Sequence, residues 1–162
     1  MIFITVGTHE QSFDRLILEI DRLKKNKQVS EEVIIQSGFC QLKLDDCTCF
    51  KMLTTQEMKS FIRKARIVIC HGGPSTIMEI LNENKIPIVV PRQFQYNEHV
   101  NDHQLRFCQK FNETYHSFLL VEQIDDLANS IVNFEEDCCN QQRYQSNTMN
   151  FNNQLSYLIE GI

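Results

Sequence analysis

The chain has 162 residues, a net charge of −5, 42% hydrophobic and 23% charged residues. That length suits one domain with a real core, and the acidic balance gives a nucleic-acid-binding role no electrostatic support. No apolar run approaches the ~18 residues that a membrane-spanning helix needs.

In chain order, Ile2–Val6 reads as a first strand, not as a signal peptide, because it is short, lacks a basic flank and runs into Gly7-Thr8. Phe13, Leu16, Ile17, Ile20 and Leu23 recur at helical spacing, and Lys24, Lys25 and Lys27 close that helix with charge suited to its C-terminus. Val33–Gln36 is the next strand. The polar stretch from Gly38 to Lys51 holds at most a short strand near Cys49-Phe50-Lys51. Thr54 or Thr55 caps a helix containing Met58, Phe61 and Ile62.

The most informative stretch follows, from Ile67 to Gln104. An apolar run, Ile67–Cys70, breaks at His71-Gly72-Gly73, and Pro74 opens an amphipathic helix carrying Ser75, Thr76 and Glu79. A second apolar run, Ile86–Val90, stops at Pro91 and leads through a polar loop to Asp102-His103-Gln104. A helix start leaves amide N–H groups unpaired and carries partial positive charge, so it attracts anions. Gly72 and Gly73 have no Cβ to keep an anion from the backbone, and Pro74 suits the first helical position. Ser75 and Thr76 add hydroxyl donors, and Glu79, four and three residues further on, lies near both. Such a carboxylate is placed to accept hydrogen bonds from a ribose. A plain strand-to-helix turn with a solvated Glu79 is the competing interpretation, since a Gly-Gly turn alone is a weak motif.

Leu105, Phe107, Cys108 and Phe111 continue a helix after His103. His99 and His103, four apart, are expected on that helix; with no third ligand evident, sugar recognition is favoured over a metal. Phe118–Val121 is the last strand, followed by a helix over Ile124, Leu127, Ile131 and Val132. From about residue 137 to 162 a Gln/Asn-rich tail with Tyr144, Phe151, Leu155, Leu158 and Ile159 is expected to form a helix packed on the body. The seven cysteines include Cys47-Thr48-Cys49 and Cys138-Cys139 but no Cys-x-x-Cys pair, so reduced thiols are expected and no metal or cofactor.

Strands separated by helices predict an α/β fold, a single Rossmann-like domain over residues 1–162 with a parallel sheet flanked by helices. Ligands then sit at the carboxyl ends of the strands, where Gly7, His71 and Pro91 fall. Thr8 is a candidate phosphate donor there. His9 is a candidate for the donor site or an interface first, and for a base second. Gln93, Gln95 and Asn97 precede the Asp102-His103-Gln104 element, whose acceptor and donor groups suit sugar hydroxyls.

The combination Gly7-Thr8-His9-Glu10-Gln11, His71-Gly72-Gly73-Pro74 and Asn101-Asp102-His103-Gln104 resembles the C-terminal, nucleotide-sugar-binding domain of glycosyltransferase family 28, from Met1 to about Ala128. The opening segment is similar to a narrower group, the short subunits of two-component glycosyltransferases for bacterial capsule and exopolysaccharide. These are related to the catalytic subunit of the eukaryotic enzyme that adds the second GlcNAc to dolichol-linked chitobiose.

The resemblance implies the C-terminal half of a GT-B fold. Gly7, Thr8, His71, Gly72, Gly73, Ser75, Thr76 and Glu79 would hold the nucleotide diphosphate, and Gln95, Asn97, Asp102, His103 and Gln104 the donor sugar. It implies inverting transfer of a hexose or N-acetylhexosamine from UDP-galactose or UDP-GlcNAc to a lipid-linked acceptor, with no bound metal. It further implies a membrane-associated, acceptor-binding partner that holds this chain, in the cytoplasm, at the inner face of the membrane. A non-catalytic enhancer of a partner enzyme is the alternative. A stand-alone Rossmann-type enzyme such as a dehydrogenase is disfavoured, because no Gly-x-Gly-x-x-Gly follows the first strand.

Overall fold

A computed structural model of the chain describes residues 1–42, 44–142 and 144. Six strands form one all-parallel sheet: β1 (Ile2–Thr5), β2 (Val33–Gln36), β3 (Thr48–Phe50), β4 (Ile67–His71), β5 (Ile88–Val90) and β6 (Leu119–Leu120), in the order β3-β2-β1-β4-β5-β6. The order runs outward from β1 to β3, then recrosses to β4 and runs outward the other way. The β1/β4 boundary is therefore the topological switch point, where open parallel sheets bind ligands. There Thr5 pairs in register with Gln36 on one side and Cys70 on the other.

The central strands read as continuous apolar runs because both sheet faces are covered. One face packs Ile2, Ile4, Ile35, Ile67, Ile69 and Val90 against Phe13, Leu16, Ile17, Ile20 and Leu23. Phe13 precedes helix α1 (Asp14–Lys25) and the other four lie on it. The same core takes in α5 (Leu127–Val132) and α6 (Phe134–Cys139) through Leu127, Ile131 and Phe134. The other face packs Phe3, Val68, Cys70 and Val89 beneath α2 (Thr55–Lys64), α3 (Pro74–Asn82) and α4 (His103–Tyr115). Each fully buried Ile, Leu or Phe contributes about 1.5–3 kcal/mol.

Local signals set most boundaries. Thr54 closes a capping box: its Oγ1 accepts from Glu57 N at 3.3 Å, and Glu57 Oε2 accepts from Thr54 N at 2.8 Å. α3 ends at Glu83 and the left-handed Asn84 (φ 57°), ahead of Pro87.

Three expectations shift. The helix expected over Ile124–Val132 divides into a 3₁₀ turn, Ile124–Asp126, and α5, which leaves Val132 exposed. The last strand shortens to Leu119–Leu120. His99 is not helical: α4 begins at His103, so His99 and His103 share no helical face. Asn101 and Asp102 intervene, and their side chains bond backbone amides in place of a helical turn. Asn101 Oδ1 accepts from His103 N at 2.9 Å and Asp102 Oδ1 from Phe94 N at 2.8 Å. Of the expected C-terminal tail helix, the structure describes α6, which starts at Phe134, and residues to 142 with Tyr144; Phe151, Leu155, Leu158 and Ile159 lie outside the described residues. No helix of the described residues is long and apolar enough to cross a membrane.

Candidate functional site

The switch point opens into a cavity of about 290 Å³. Its walls come from the carboxyl ends of β1 and β2 (Thr5, Gly7, Thr8, Gln36), the segment into α2 (Met52, Leu53, Met58) and the β4–α3 turn (His71, Gly73, Pro74, Ser75, Thr76). The first group is fixed by one side chain. Gln36 Oε1 accepts from Thr5 Oγ1 at 2.6 Å, and its Nε2 donates to the carbonyls of Gly7 (3.1 Å) and Lys51 (3.2 Å).

The β4–α3 turn supplies donors. No side chain caps α3, and the bond from Ile77 N to Gly73 O closes its first turn at 3.1 Å. The Ser75 and Thr76 amides therefore lack intrahelical partners in the cavity wall, with the positive end of the helix dipole behind them. Met52, Leu53 and Met58 give the cavity an apolar lining as well. A cavity lined by both a helix start and thioether and aliphatic surface matches a phosphorylated ligand with a flat, weakly polar ring.

The space beside Gly7 and Gly73 belongs to His71. A Cβ on Gly7 would stand 2.5 Å from His71 Cε1, and one on Gly73 2.4 Å from His71 Nε2. Gly7 also holds φ at +77°, which L side chains rarely adopt. His71 is buried, its Nδ1 has no hydrogen-bond partner, and its pKa is pushed down to about 4 by burial and by the charge of Arg92. It is a neutral ring at pH 7, wedged between the β1 loop and the α3 turn.

Glu79 lies one turn along α3 but does not line the 290 Å³ cavity. It opens onto an adjoining groove with Thr55, Lys59, Met78 and Asn82, and Ser75 borders both spaces. Its Oε1 is buried and has no partner, an acceptor left for something other than the described residues.

The loop after β5 is placed near this edge but is bonded largely to itself. Gln95 Nε2 donates to Gln93 Oε1 at 2.6 Å. Asn97 is left-handed (φ 56°), and its carbonyl accepts from Gln11 Nε2 at 3.1 Å. Gln104 is buried, with Oε1 accepting from Arg92 N at 3.3 Å, while His103 is exposed at the start of α4. None of Gln95, Asn97, Asp102, His103 and Gln104 lines the switch-point cavity. His9 packs its ring against that of His99, with centroids 4.5 Å apart, and accepts from Gln11 N at Nδ1 (3.2 Å). Partial burial, then His99 and Arg92, lower the His9 pKa. Among the described residues no group of three or more His, Cys, Asp or Glu side chains is arranged to hold a metal ion.

Three residues that sequence reasoning missed organise the edge. Arg92 is fully buried. Its Nη1 donates to the carbonyls of Gln11 (2.7 Å), Ser12 (3.3 Å) and Glu98 (3.0 Å), and its Nη2 to that of Val6 (2.8 Å). Glu98 is gripped by Arg15 through two bonds of 2.9 and 3.0 Å and accepts from Gln93 N at 3.1 Å. Together they tie the β1 loop to the loop after β5. No local pattern in the sequence marks Arg92, whose partners are distant backbone carbonyls.

Fold and cavity together define a doubly wound, Rossmann-type α/β domain with a helix-start cradle at its switch point. The sequence matches the glycosyltransferase family 28 C-terminal domain over residues 1–159, and the chain belongs to that family. Among solved structures it is similar to MurG of Acinetobacter baumannii, with a TM-score of 0.61 and 16% identity over 98% of this chain and 49% of that one. The chain thus spans about half the length of MurG. Weaker similarity extends to the glycosyltransferase SnogD from Streptomyces nogalater (TM-score 0.46, 14% identity, 86% of this chain and 39% of that one). A de novo designed Rossmann 2x3 protein gives a TM-score of 0.44 at 9% identity, over 90% of this chain and 94% of that one. No curated protein matches the chain.

Proposed function

We propose that this chain is the donor-binding half of an inverting glycosyltransferase that uses a UDP-sugar. The observation that carries it is the switch-point cavity, lined both by the uncapped α3 start at Ser75 and Thr76 and by the apolar Met52, Leu53 and Met58. The diphosphate lies at the start of α3 and the base against the methionines. Glu79, whose Oε1 lacks a partner, takes the ribose hydroxyls across Ser75. Gln95, Asn97, Asp102, His103 and Gln104 form the loop and helix start toward which the sugar extends.

In the reaction an acceptor hydroxyl attacks the anomeric carbon from the face opposite the diphosphate. The bond from that carbon to the diphosphate oxygen breaks, configuration inverts, and UDP leaves. Negative charge grows on the leaving diphosphate, and the fixed amides and helix dipole of α3 stabilise it without a metal. The acceptor proton goes to a base, for which His9 is the candidate on this chain; burial, His99 and Arg92 lower its pKa.

In this reading the acceptor is a lipid-linked sugar of capsule or exopolysaccharide synthesis, held by a membrane-associated partner polypeptide. The partner keeps this chain at the cytoplasmic face of the membrane. The described residues wall the cavity from one domain only, and holding an acceptor in line for attack needs a second surface.

The test is calorimetry of the purified chain with UDP, followed by transfer assays with UDP-galactose and UDP-GlcNAc on lipid-linked acceptors, with and without membranes bearing the partner. UDP binding with turnover only when membranes are added supports the reading. Turnover by the chain alone overturns the need for a partner. No UDP binding, with turnover of the partner nonetheless enhanced, favours a non-catalytic enhancer.

A further inference from the structure

One buried side chain joins the two kinds of lining in the switch-point cavity. Gln36 ends β2, and its amide is fully engaged inside the protein. Its Nε2 donates to the carbonyl of Gly7, beside Thr8 in the lining, and to that of Lys51, which precedes Met52 and Leu53. Its Oε1 accepts from Thr5 Oγ1 at 2.6 Å. Both N–H groups are committed to carbonyls, so Gln36 has no donor left for a ligand. It can act on one only through the backbone that it holds.

That hold reaches both parts of the cavity. Gly7 lies against the His71 ring, and the same ring fills the space beside Gly73 at the start of α3. A fixed Gly7 therefore keeps His71 in place, and through it the turn that leads to Ser75 and Thr76. In the other direction, Lys51 carries the chain directly into Met52 and Leu53. The Lys51 carbonyl also accepts from Gly38 N at 3.0 Å, so the ends of β2 and β3 close on one atom.

We propose that Gln36 is a positioning residue that sets the separation between the helix start, where the diphosphate binds, and the apolar lining, where the base binds. That the ligand is a nucleoside diphosphate rests on the donor-binding function proposed above. A ligand that spans both subsites benefits from their fixed separation, because binding one end presents the other at a high local concentration. Loosening the separation by about an ångström removes that benefit. A small ligand held at one subsite does not sense the separation at all.

Two substitutions in the full chain test it. Gln36→Leu removes both donors. Gln36→Glu keeps the shape and makes the clamp depend on pH. The protonated carboxyl has one O–H to give to the Gly7 carbonyl and an oxygen to accept from Thr5, while the Lys51 carbonyl keeps Gly38 N. The ionised carboxylate faces two carbonyl oxygens with no donor, and burial beside them raises its pKa above the ordinary carboxylate range. Gln36→Glu should therefore bind UDP nearly as wild type does at about pH 5, and roughly tenfold more weakly than wild type at about pH 8. Gln36→Leu should be roughly tenfold weaker at both. Affinities are read by calorimetry as ratios to wild type at the same pH, which cancels titration of the UDP phosphate and of His9. His71, the titratable side chain of the described lining, has a pKa of about 4 and is neutral over this range, and the Lys51 ammonium lies over the Phe39 ring.

Amide-resolved NMR confirms that each variant is folded. With it, uridine and inorganic pyrophosphate at millimolar concentration should bind both variants as they bind wild type. If Gln36→Leu does not fold, Gln36→Glu decides. UDP affinity equal to wild type in folded Gln36→Leu, or a Gln36→Glu loss that is the same at both pH values, overturns the proposal. An equal loss for uridine or pyrophosphate alone also overturns it, since Gln36 would then shape one subsite and not the separation. No UDP binding by the wild type sinks the donor reading itself, and this proposal with it.

Discussion

The His71 imidazole occupies the space that a side chain at Gly73 would need, with Nε2 2.4 Å from the position of a Gly73 Cβ. The glycine is therefore required by packing inside the fold. Gly73→Val is expected to displace the ring into the cavity, abolish measurable UDP binding and cost about 1–3 kcal/mol of stability, the usual penalty for overpacking. A double-mutant cycle with His71→Ala separates the two effects. Stability lost in Gly73→Ala should be partly recovered when His71 is also alanine, because the clash is gone. Urea denaturation showing strictly additive losses would remove His71 as the neighbour that dictates glycine.

Elements whose signal is local were readable from sequence. The runs Ile2–Val6, Val33–Gln36, Ile67–Cys70 and Ile86–Val90 are mostly apolar because both sheet faces are covered, and each coincides with an observed strand to within two residues. Pro74 opens α3 where expected, since its ring fixes the first helical position whatever surrounds it. The start of α4 was less readable, because Asn101 and Asp102 look like a polar helical turn until their side chains are seen to bond amides. The Arg92 brace was not readable at all. Its partners Val6 and Gln11 lie 86 and 81 residues away and contribute only carbonyls, which carry no residue identity. Glu79 was half readable: its spacing from Ser75 places both on one groove, yet that groove adjoins the cavity instead of lining it.

Glu79 has a buried oxygen without a partner in the unliganded protein, so the side chain is not needed to hold the fold. Glu79→Gln should leave stability unchanged, because no hydrogen bond among the described residues is lost. UDP affinity should fall by about 1.5–3 kcal/mol, the loss of charge-assisted hydrogen bonds to the ribose. Calorimetry on the folded variant decides this. An unchanged affinity would take Glu79 out of the site.

Glu31 offers a pH-dependent reading of the opposite pole of the sheet. The guanidinium of Arg66 hydrogen-bonds its carboxylate and holds its pKa at about 2, against an ordinary 4.5. A depressed carboxylate pKa stabilises the fold above the unfolded value, and the contribution disappears as pH falls through the folded one. The window is therefore about pH 4.5 down to about pH 2. Arg66 is 41% exposed, so solvent screening reduces the pair to about 1 kcal/mol. Glu31→Gln should lower stability by that amount at pH 7, and the gap from wild type should close across the window. A gap independent of pH would mean that the side chain acts through packing rather than charge.

Arg92 is where fold and function meet. It is fully buried, and its two Nη atoms serve four carbonyls on both sides of the switch point, at Val6, Gln11, Ser12 and Glu98. Burial lowers the pKa of its guanidinium, yet so basic a group keeps its charge at pH 7. Arg92→Met removes that charge without opening a large cavity but leaves four buried acceptors short of a donor. Each unsatisfied acceptor costs about 1–3 kcal/mol, and water entering at this edge will satisfy some of them, so a net loss of about 3–5 kcal/mol is expected. Arg92→Lys keeps the charge but cannot span both loops with one planar fork, so it should recover less than half of that loss. If the brace also positions the edge for binding, Arg92→Lys should weaken UDP binding, because Val6 and Gln11 belong to the loop that carries Gly7 and Thr8 at the cavity. Urea denaturation reads the first effect, and calorimetry on Arg92→Lys reads the second. A destabilised but folded variant with UDP affinity intact would show that Arg92 supports the core alone.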